Sequence, residues 1–384
     1  MLKNKKNLIG KLILIIGVLL YLLWIVNLNK SQDGDLKTAA QKNVFVKAHV
    51  TEIINDQASP DTWTEGLRIG FQEVIVAIDS GEFKGDKLYT VNYLSAYSNI
   101  DLKENVKIIV KIDKDDNGNP FIVSITSYNR SQIIIGLLSL FVITLLLFGG
   151  KKGLAAIVGL GFTIISIWFV LIPLVKQGIH PIPAAIGLIA VTTFVSLVAL
   201  NGFSKKTFIA VVGCVGGVTI AGLTAYIVGI ISPINGFNMP EAEELVLRAA
   251  DDGLKISGLL VSGILIASLG AVMDVALTIA SAISELHDMK PEAKVSELFK
   301  SGINIGKDAM GTMANTLILA FSGASLNMLI LFRVFDYPTM QIFNSDLMTI
   351  EIIQGLAGSI GIVLTVPLVA ILGASLYGKQ TKTQ

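Results

Sequence analysis

The sequence predicts a polytopic α-helical membrane protein of about eight spans, with a small β-rich, OB-like, extracytoplasmic domain between the first and second spans. Three observations carry this. Hydrophobic residues make up 52% of the 384 positions and charged residues only 15%, too apolar for a soluble domain and too long for a single anchor. From Ser131 the chain is a succession of apolar runs of about 20 residues, the length that crosses a hydrocarbon core. Between residues 31 and 130 the pattern changes to short alternating runs, the period-two signature of half-buried strands.

The chain opens with Lys3, Lys5, Lys6 and Lys11 ahead of an apolar run from Leu12 to Leu28. An uncleaved first span is the expectation. Thr38-Ala39-Ala40 is the nearest small-residue stretch to a signal cleavage site, and it lies well past the apolar end. Residues 1–30 are therefore read as cytoplasmic tail and first helix. Five strands are expected in residues 31–130, at VFVKAHV from Val44, EVIVAID from Glu73, KLYTVNY from Lys87, VKIIVKI from Val106 and FIVSITSY from Phe121. Asp115-Asp116-Asn117-Gly118-Asn119-Pro120 joins the last two as a hairpin. This domain lacks a basic face with interleaved aromatics, so nucleic acid is not an expected partner, and a cap or docking module is its plainest role.

Seven spans are expected in residues 131–378, near 132–149, 153–174, 182–200, 207–231, 257–281, 309–332 and 352–376, followed by a tail over 379–384. With the first span they make eight. One face then holds Lys3, Lys5, Lys6, Lys11, Lys151, Lys152, Lys205, Lys206, Lys290, Lys294, Lys300, Lys307, Lys379 and Lys382, fourteen in all. The opposite short loops hold four cations: Lys176, Arg248, Lys255 and Arg333. By the positive-inside rule both termini are cytoplasmic and residues 31–130 extracytoplasmic, in the plasma membrane. Glycines inside the spans, such as Gly213 and Gly217, predict close helix packing. Pro173 and Pro367 are expected to bend or end their helices. Between Ser232 and Lys255, Asn238 and Pro240 look like a helix start with Glu241, Glu243 and Glu244 in its first turn. An outer mouth that concentrates cations is the sharper reading of those acids.

The only cysteine, Cys214, excludes an intramolecular disulfide. His49, His180 and His287 lie far apart without metal-ligand spacing, and no cofactor motif is present. What remains is the pair of helices from Lys255 to Arg333. Asp274 lies deep in LLVSGILIASLGAVMDVALTIASAIS, and Asp308 precedes an apolar run containing Thr312, Asn315 and Thr316. Ionisable residues inside a span normally face a bundle interior, a partner or a water-filled path. At helical spacing Asp274, Thr278 and Ser281 share one face, as do Asp308, Thr312 and Asn315. With Asp308 starting the returning helix, both acids are expected near the inner edge of the bilayer. Carboxylates ringed by hydroxyls and an amide suit a small cation or a proton. The linking segment is expected to hold an amphipathic helix at the inner surface, with Val295, Leu298, Phe299 and Ile303 on its apolar face.

GAVMDVALTIASAISEL from Gly270 and GKDAMGTMANTLILAFSGASLNMLILF from Gly306 resemble the two signature segments of the YibE/F family of multi-span bacterial membrane proteins. The preceding strand domain and following spans fit as well, most sharply over 256–332. The second signature usually has Arg where this chain has Lys307, which keeps the charge and loses the planar fork. The resemblance implies an integral membrane protein whose members can occur as paired sister proteins, and it brings no activity with it. The residues themselves support a transporter of a small cation or solute first, acting alone or as a homo-oligomer. A non-catalytic scaffold or accessory subunit of a membrane partner comes second. An intramembrane aspartyl protease is third, because Gly306-Lys307-Asp308 lacks the second glycine of the Gly-x-Gly-Asp pattern.

Overall fold

The computed structural model describes residues 16–29, 43–249 and 253–379. The lysine-rich start, Thr38-Ala39-Ala40 and the last five residues lie outside them. Contacts divide the chain into two compact units, one of residues 29–144 and one of residues 1–28 with 145–384.

The first unit is built on a half-barrel of β1 (Asn43–Asp56), β2 (Ser59–Pro60), β3 (Arg68–Ile78), β4 (Lys87–Leu94), β5 (Lys107–Lys114) and β6 (Pro120–Tyr128). All pairings are antiparallel, and the path runs β4-β3-β1-β5-β6 with β2 on the outer end of β3. Each of the five expected runs is a strand; the two-residue β2 was not foreseen. Alternation places Val46, Ala48 and Val50 of β1 inside with Val74, Val76 and Ile78 of β3 and Ile108, Val110 and Ile112 of β5. The sheet curls until Thr90 of β4 donates its hydroxyl to the Val123 carbonyl of β6. In the β5–β6 turn, Asp115 Oδ1 accepts from the Asn117 and Asn119 amides at 2.9 and 2.7 Å, and Gly118 takes φ 87°.

One end of the half-barrel is closed by a polar network. Gln72 is fully buried; its carbonyl accepts from Leu102 N at 3.0 Å and Asn92 Nδ2 at 3.1 Å, and its amide donates to Asp56 and to the Leu102 carbonyl. Arg68 bridges Asp56 and Asp101. This satisfies polar atoms that would otherwise be stranded in the core.

In the second unit, α1 (Ile16–Asn29) is a short apolar helix whose Tyr21 ring stacks on Phe162 at 5.2 Å. Next comes α2 (Ser131–Ser166), which belongs to this unit from Leu145 onward and is non-helical at Gly150 (φ 52°, ψ −129°). A Cβ on Gly153 would stand 2.0 Å from the Leu145 carbonyl oxygen, so the chain turns back on itself at this point. A π-helical turn, Ile167–Leu171, leads into α3 (Ile172–Lys176). Pro173, lacking an N–H, follows this widened turn, in which the Ile172 amide reaches back five residues to Ile167. Then come α4 (Pro181–Asn201) and α5 (Lys205–Ile231), capped by Ser204, which accepts from the Thr207 amide. A 3-10 turn (Gly236–Asn238) and α6 (Ala242–Ala249) follow, with Glu243 and Glu244 in the first turn as expected.

The remaining helices are α7 (Leu259–Met289), α8 (Val295–Ala324), α9 (Leu326–Val334), α10 (Thr339–Phe343) and α11 (Asp346–Tyr377), the last running through Pro367 without ending. Among the described residues five helices are long and apolar enough to cross a membrane, or six if α8 and α9, bent by 56° at Ser325, count as one broken span. The first of the five, Ser131–Lys176, is 46 residues long and contains the Gly150 break.

The bundle closes around α11, which packs against α5, α7 and α8. A Cβ on Gly361 would lie 2.6 Å from Ala221 Cβ and 2.9 Å from the Gly217 carbonyl oxygen. In lipid, which solvates apolar side chains as well as a neighbouring helix does, such backbone contact supplies the packing energy. Toward the C-terminal end of α11, Gly302 and Gly306 of α8 lie against Ile283 and Ile279 of α7 and Ala370 and Val366 of α11.

One expectation is corrected here. The amphipathic segment and the following span form a single helix, α8. Leu298 is fully buried and Val295, Phe299 and Ile303 pack against the main core. The apolar face is taken up by α7 and α11 through Gly302 and Gly306, and the segment is not a separate helix.

Two outcomes follow. Gly361→Ala is expected to cost about 1–3 kcal/mol by overpacking, while Gly187→Ala, whose Cβ meets nothing within 4 Å, is neutral; thermal unfolding of the purified protein in detergent reads both. In the half-barrel, burial pushes the Asp56 carboxyl up, but hydrogen bonds from Arg68, the Ala58 amide and Gln72, with the Arg68 charge, outweigh it and hold the carboxyl below its ordinary range. Its stabilising contribution is then complete above about pH 3.9, the unfolded value, and lost as pH falls through the lower folded value. Hydrogen exchange over residues 68–102 should rise on acidification through that window, and Asp56→Asn should flatten the rise.

Candidate functional site

Helix α7 has one packed side and one open side. Leu265, Leu269, Val272, Ala276, Ile279 and Ile283 are buried at helical spacing. On the opposite side Gly263, Ala267, Gly270, Asp274, Thr278 and Glu285 are exposed, with Ser281 half-buried. This is a stripe at alternating spacings of three and four residues. Nothing lies within 4 Å of where a Cβ on Gly263 or Gly270 would stand. Unlike Gly217 or Gly361, these glycines pack against no neighbour among the described residues.

Helix α8 repeats the arrangement. Its buried positions, Leu298, Gly302, Gly306 and Leu317, face α7 and α11. At ~100° per residue, Asp308, two residues beyond Gly306, lies about 200° around the helix from that seam. Asn304, Asp308, Gly311, Thr312, Asn315 and Thr316 are all exposed. Thr312 returns its hydroxyl to the Ala309 carbonyl at 3.0 Å and Thr316 to the Thr312 carbonyl at 2.8 Å. Asp308 does not begin a helix; it is the fourteenth residue of α8, too far in for the N-terminal dipole to account for it.

Each expected triad therefore occupies one helix face, and each face points away from the seam between the two helices. Among the described residues no hydrogen bond joins Asp274, Thr278 or Ser281 to Asp308, Thr312 or Asn315. No group of three or more His, Cys, Asp or Glu able to hold a metal occurs among them either. Cys214 is buried on α5, 3.9 Å from the Thr193 hydroxyl. Lys307 is exposed beside Asp308.

Two polar residues that sequence reasoning passed over stand out. Glu351, in the second turn of α11, and Ser325, at the α8–α9 break, each have a buried side-chain oxygen without a hydrogen-bond partner. The signals were faint. Glu351 sits just outside the 352–376 apolar run, and the small residues of Ser322-Gly323-Ala324-Ser325 mark the break only weakly.

No curated protein and no solved structure matches the chain. The family model for YibE/F-like protein matches residues 137–379, which runs from the seventh residue of α2 to past the end of α11 and leaves the half-barrel outside the match. With that span covering more than half of its length, the chain belongs to the YibE/F-like family, whose apolar helices make it a membrane protein.

Proposed function

We propose that the chain crosses the plasma membrane eight times and conducts a small cation or solute along the polar faces of α7 and α8. Both termini are cytoplasmic and the half-barrel is extracytoplasmic. The eight crossings follow from counting α1 as the first and dividing Ser131–Lys176 at Gly150. A 46-residue helix would measure about 69 Å at ~1.5 Å per residue, more than twice the hydrocarbon thickness. α8 with α9 then counts as one broken crossing. Lys151 and Lys152 fall in the turn at Gly150, on the lysine-rich side.

The observation that carries the transport reading is the exposure of Asp274, Thr278, Asp308, Thr312 and Asn315 on helices that are otherwise apolar. Lipid does not solvate a carboxylate, so each face requires water, an ion or another protein. The bare glycines on the same α7 face leave room for one. Because both faces look away from their shared seam, the path is completed by another subunit, a second copy or a sister membrane protein.

The outward aspect of the same faces favours one further reading, an accessory scaffold that uses them to hold a membrane partner. The protease reading requires Asp274 and Asp308 to share a proton, and no hydrogen bond joins them.

Reconstituted into vesicles, Asp274→Asn and Asp308→Asn proteins that elute like the wild type are expected to lose at least tenfold of uptake in an ion and metabolite screen; unchanged uptake would remove the transport reading. Where a second copy completes the path, Thr278→Cys is expected to form a disulfide-linked pair across it; where a sister protein does, no such pair forms. Cross-linking together with unaltered uptake would establish the scaffold instead.

A further inference from the structure

A cleft of about 200 Å³ lies where α8 gives way to α9, against the first turns of α11. It is separate from the α7 and α8 stripes and was not expected from the sequence. Its walls are mostly apolar, with Phe321, Met328 and Met348 among them, and its oxygen-bearing side chains are Ser322, Ser325 and Glu351. The Ser322 hydroxyl is spoken for, donating to the Ile318 carbonyl at 2.8 Å. The Ser325 hydroxyl and Glu351 Oε2 are both buried and unpartnered. The mouth is held in place from α11: Ser345 caps the helix by accepting from the Met348 amide, and Asn238 donates to Asp346 at 2.7 Å.

A buried carboxylate oxygen without a partner is costly and calls for a positive group. The shape of the space decides which. A bare alkali or alkaline-earth ion is held by about six oxygens; here a space of nearly seven water volumes at ~30 Å³ each is walled mostly by hydrocarbon, and the Ser325 hydroxyl and Glu351 Oε2 lie beneath its surface. An apolar wall with one aromatic ring, adaptable methionines and a single anion is the composition that receives a small organic ammonium. The ring and the carboxylate attract the charge, and the methionines fit the hydrocarbon. The volume is below the ~300 Å³ at which drug-sized sites begin, which limits the ligand to a small amine.

We propose that this cleft is a binding site for a small apolar ammonium, with Glu351 as its counter-ion. The proposal goes beyond the transport reading and does not depend on it, because binding is read on solubilised protein without any flux.

The test is calorimetric titration of the full-length protein in detergent with 2-phenylethylammonium, its neutral isostere 2-phenylethanol, and sodium. Saturable binding of the ammonium is expected, with the alcohol at least tenfold weaker and sodium failing to compete. Glu351→Gln should weaken the ammonium at least tenfold, and Glu351→Asp should restore it to within a few fold. Met328→Trp, which fills the cleft and leaves the charge, should abolish it. Equal binding of amine and alcohol, indifferent to Glu351→Gln, would make the cleft a groove for lipid chains and overturn the proposal. Competition by sodium, or no saturable binding of the amine to the wild type, would overturn it as well.

Discussion

The close approach of α5 and α11 at Gly217 and Gly361 is the contact on which the helical unit depends. Helices in lipid gain nothing from hiding apolar side chains from one another, so they associate where backbones can touch and dispersion contacts become dense. With α11 seated against α5 by Gly361 meeting Ala221 and the Gly217 carbonyl, the positions of α7 and α8 follow. Leu265 of α7 fills the space over Gly222, and Val366 of α11 fills that over Gly306. Gly217, Gly222, Gly302, Gly306 and Gly361 are all consumed in this packing.

What the seam leaves over gives the chain its chemistry. Asp274 and Thr278 of α7 and Asp308, Thr312 and Asn315 of α8 lie on the sides that the seam does not use, so the packing that stabilises the monomer also turns the acids outward. Gly263, Gly270 and Gly311 belong to those outer sides and have no neighbours of their own. The same residue type thus has two roles, separated by which face of the helix it occupies. A mutation at Gly361 acts on the fold, and one at Gly270 acts on whatever covers the face.

Much of this was legible in the sequence because two periodicities suffice for it. Alternation in VFVKAHV or VKIIVKI identifies strands with one buried face, and the half-barrel follows. Apolar length finds the long helices that could cross a membrane, and the i, i+4, i+7 spacing places Asp274 with Thr278 and Asp308 with Thr312. Other features were beyond it for physical reasons. Spacing along one helix says which residues share a face but nothing about which neighbour that face meets, so the meeting of the two acids could not be read from it. The joining of residues 295–308 to the following span turns on Gly302 and Gly306 docking against Val366 and Ala370, some sixty residues away. The unpartnered Glu351 and Ser325 are brought together by the break in α8, whose only trace in the sequence is a cluster of small residues.

The continuity of α8 has a mechanical side. Thirty residues without interruption, from Val295 beside the last turn of α11 to Ala324 at the break, make a rod about 45 Å long. A helix of this kind changes length little under axial load, so a displacement imposed at one tip arrives at the other. An agent acting near Lys294 and an occupant of the cleft beside Ser325 would push on the two ends of one lever, and each would sense the other without any signal crossing the intervening side chains.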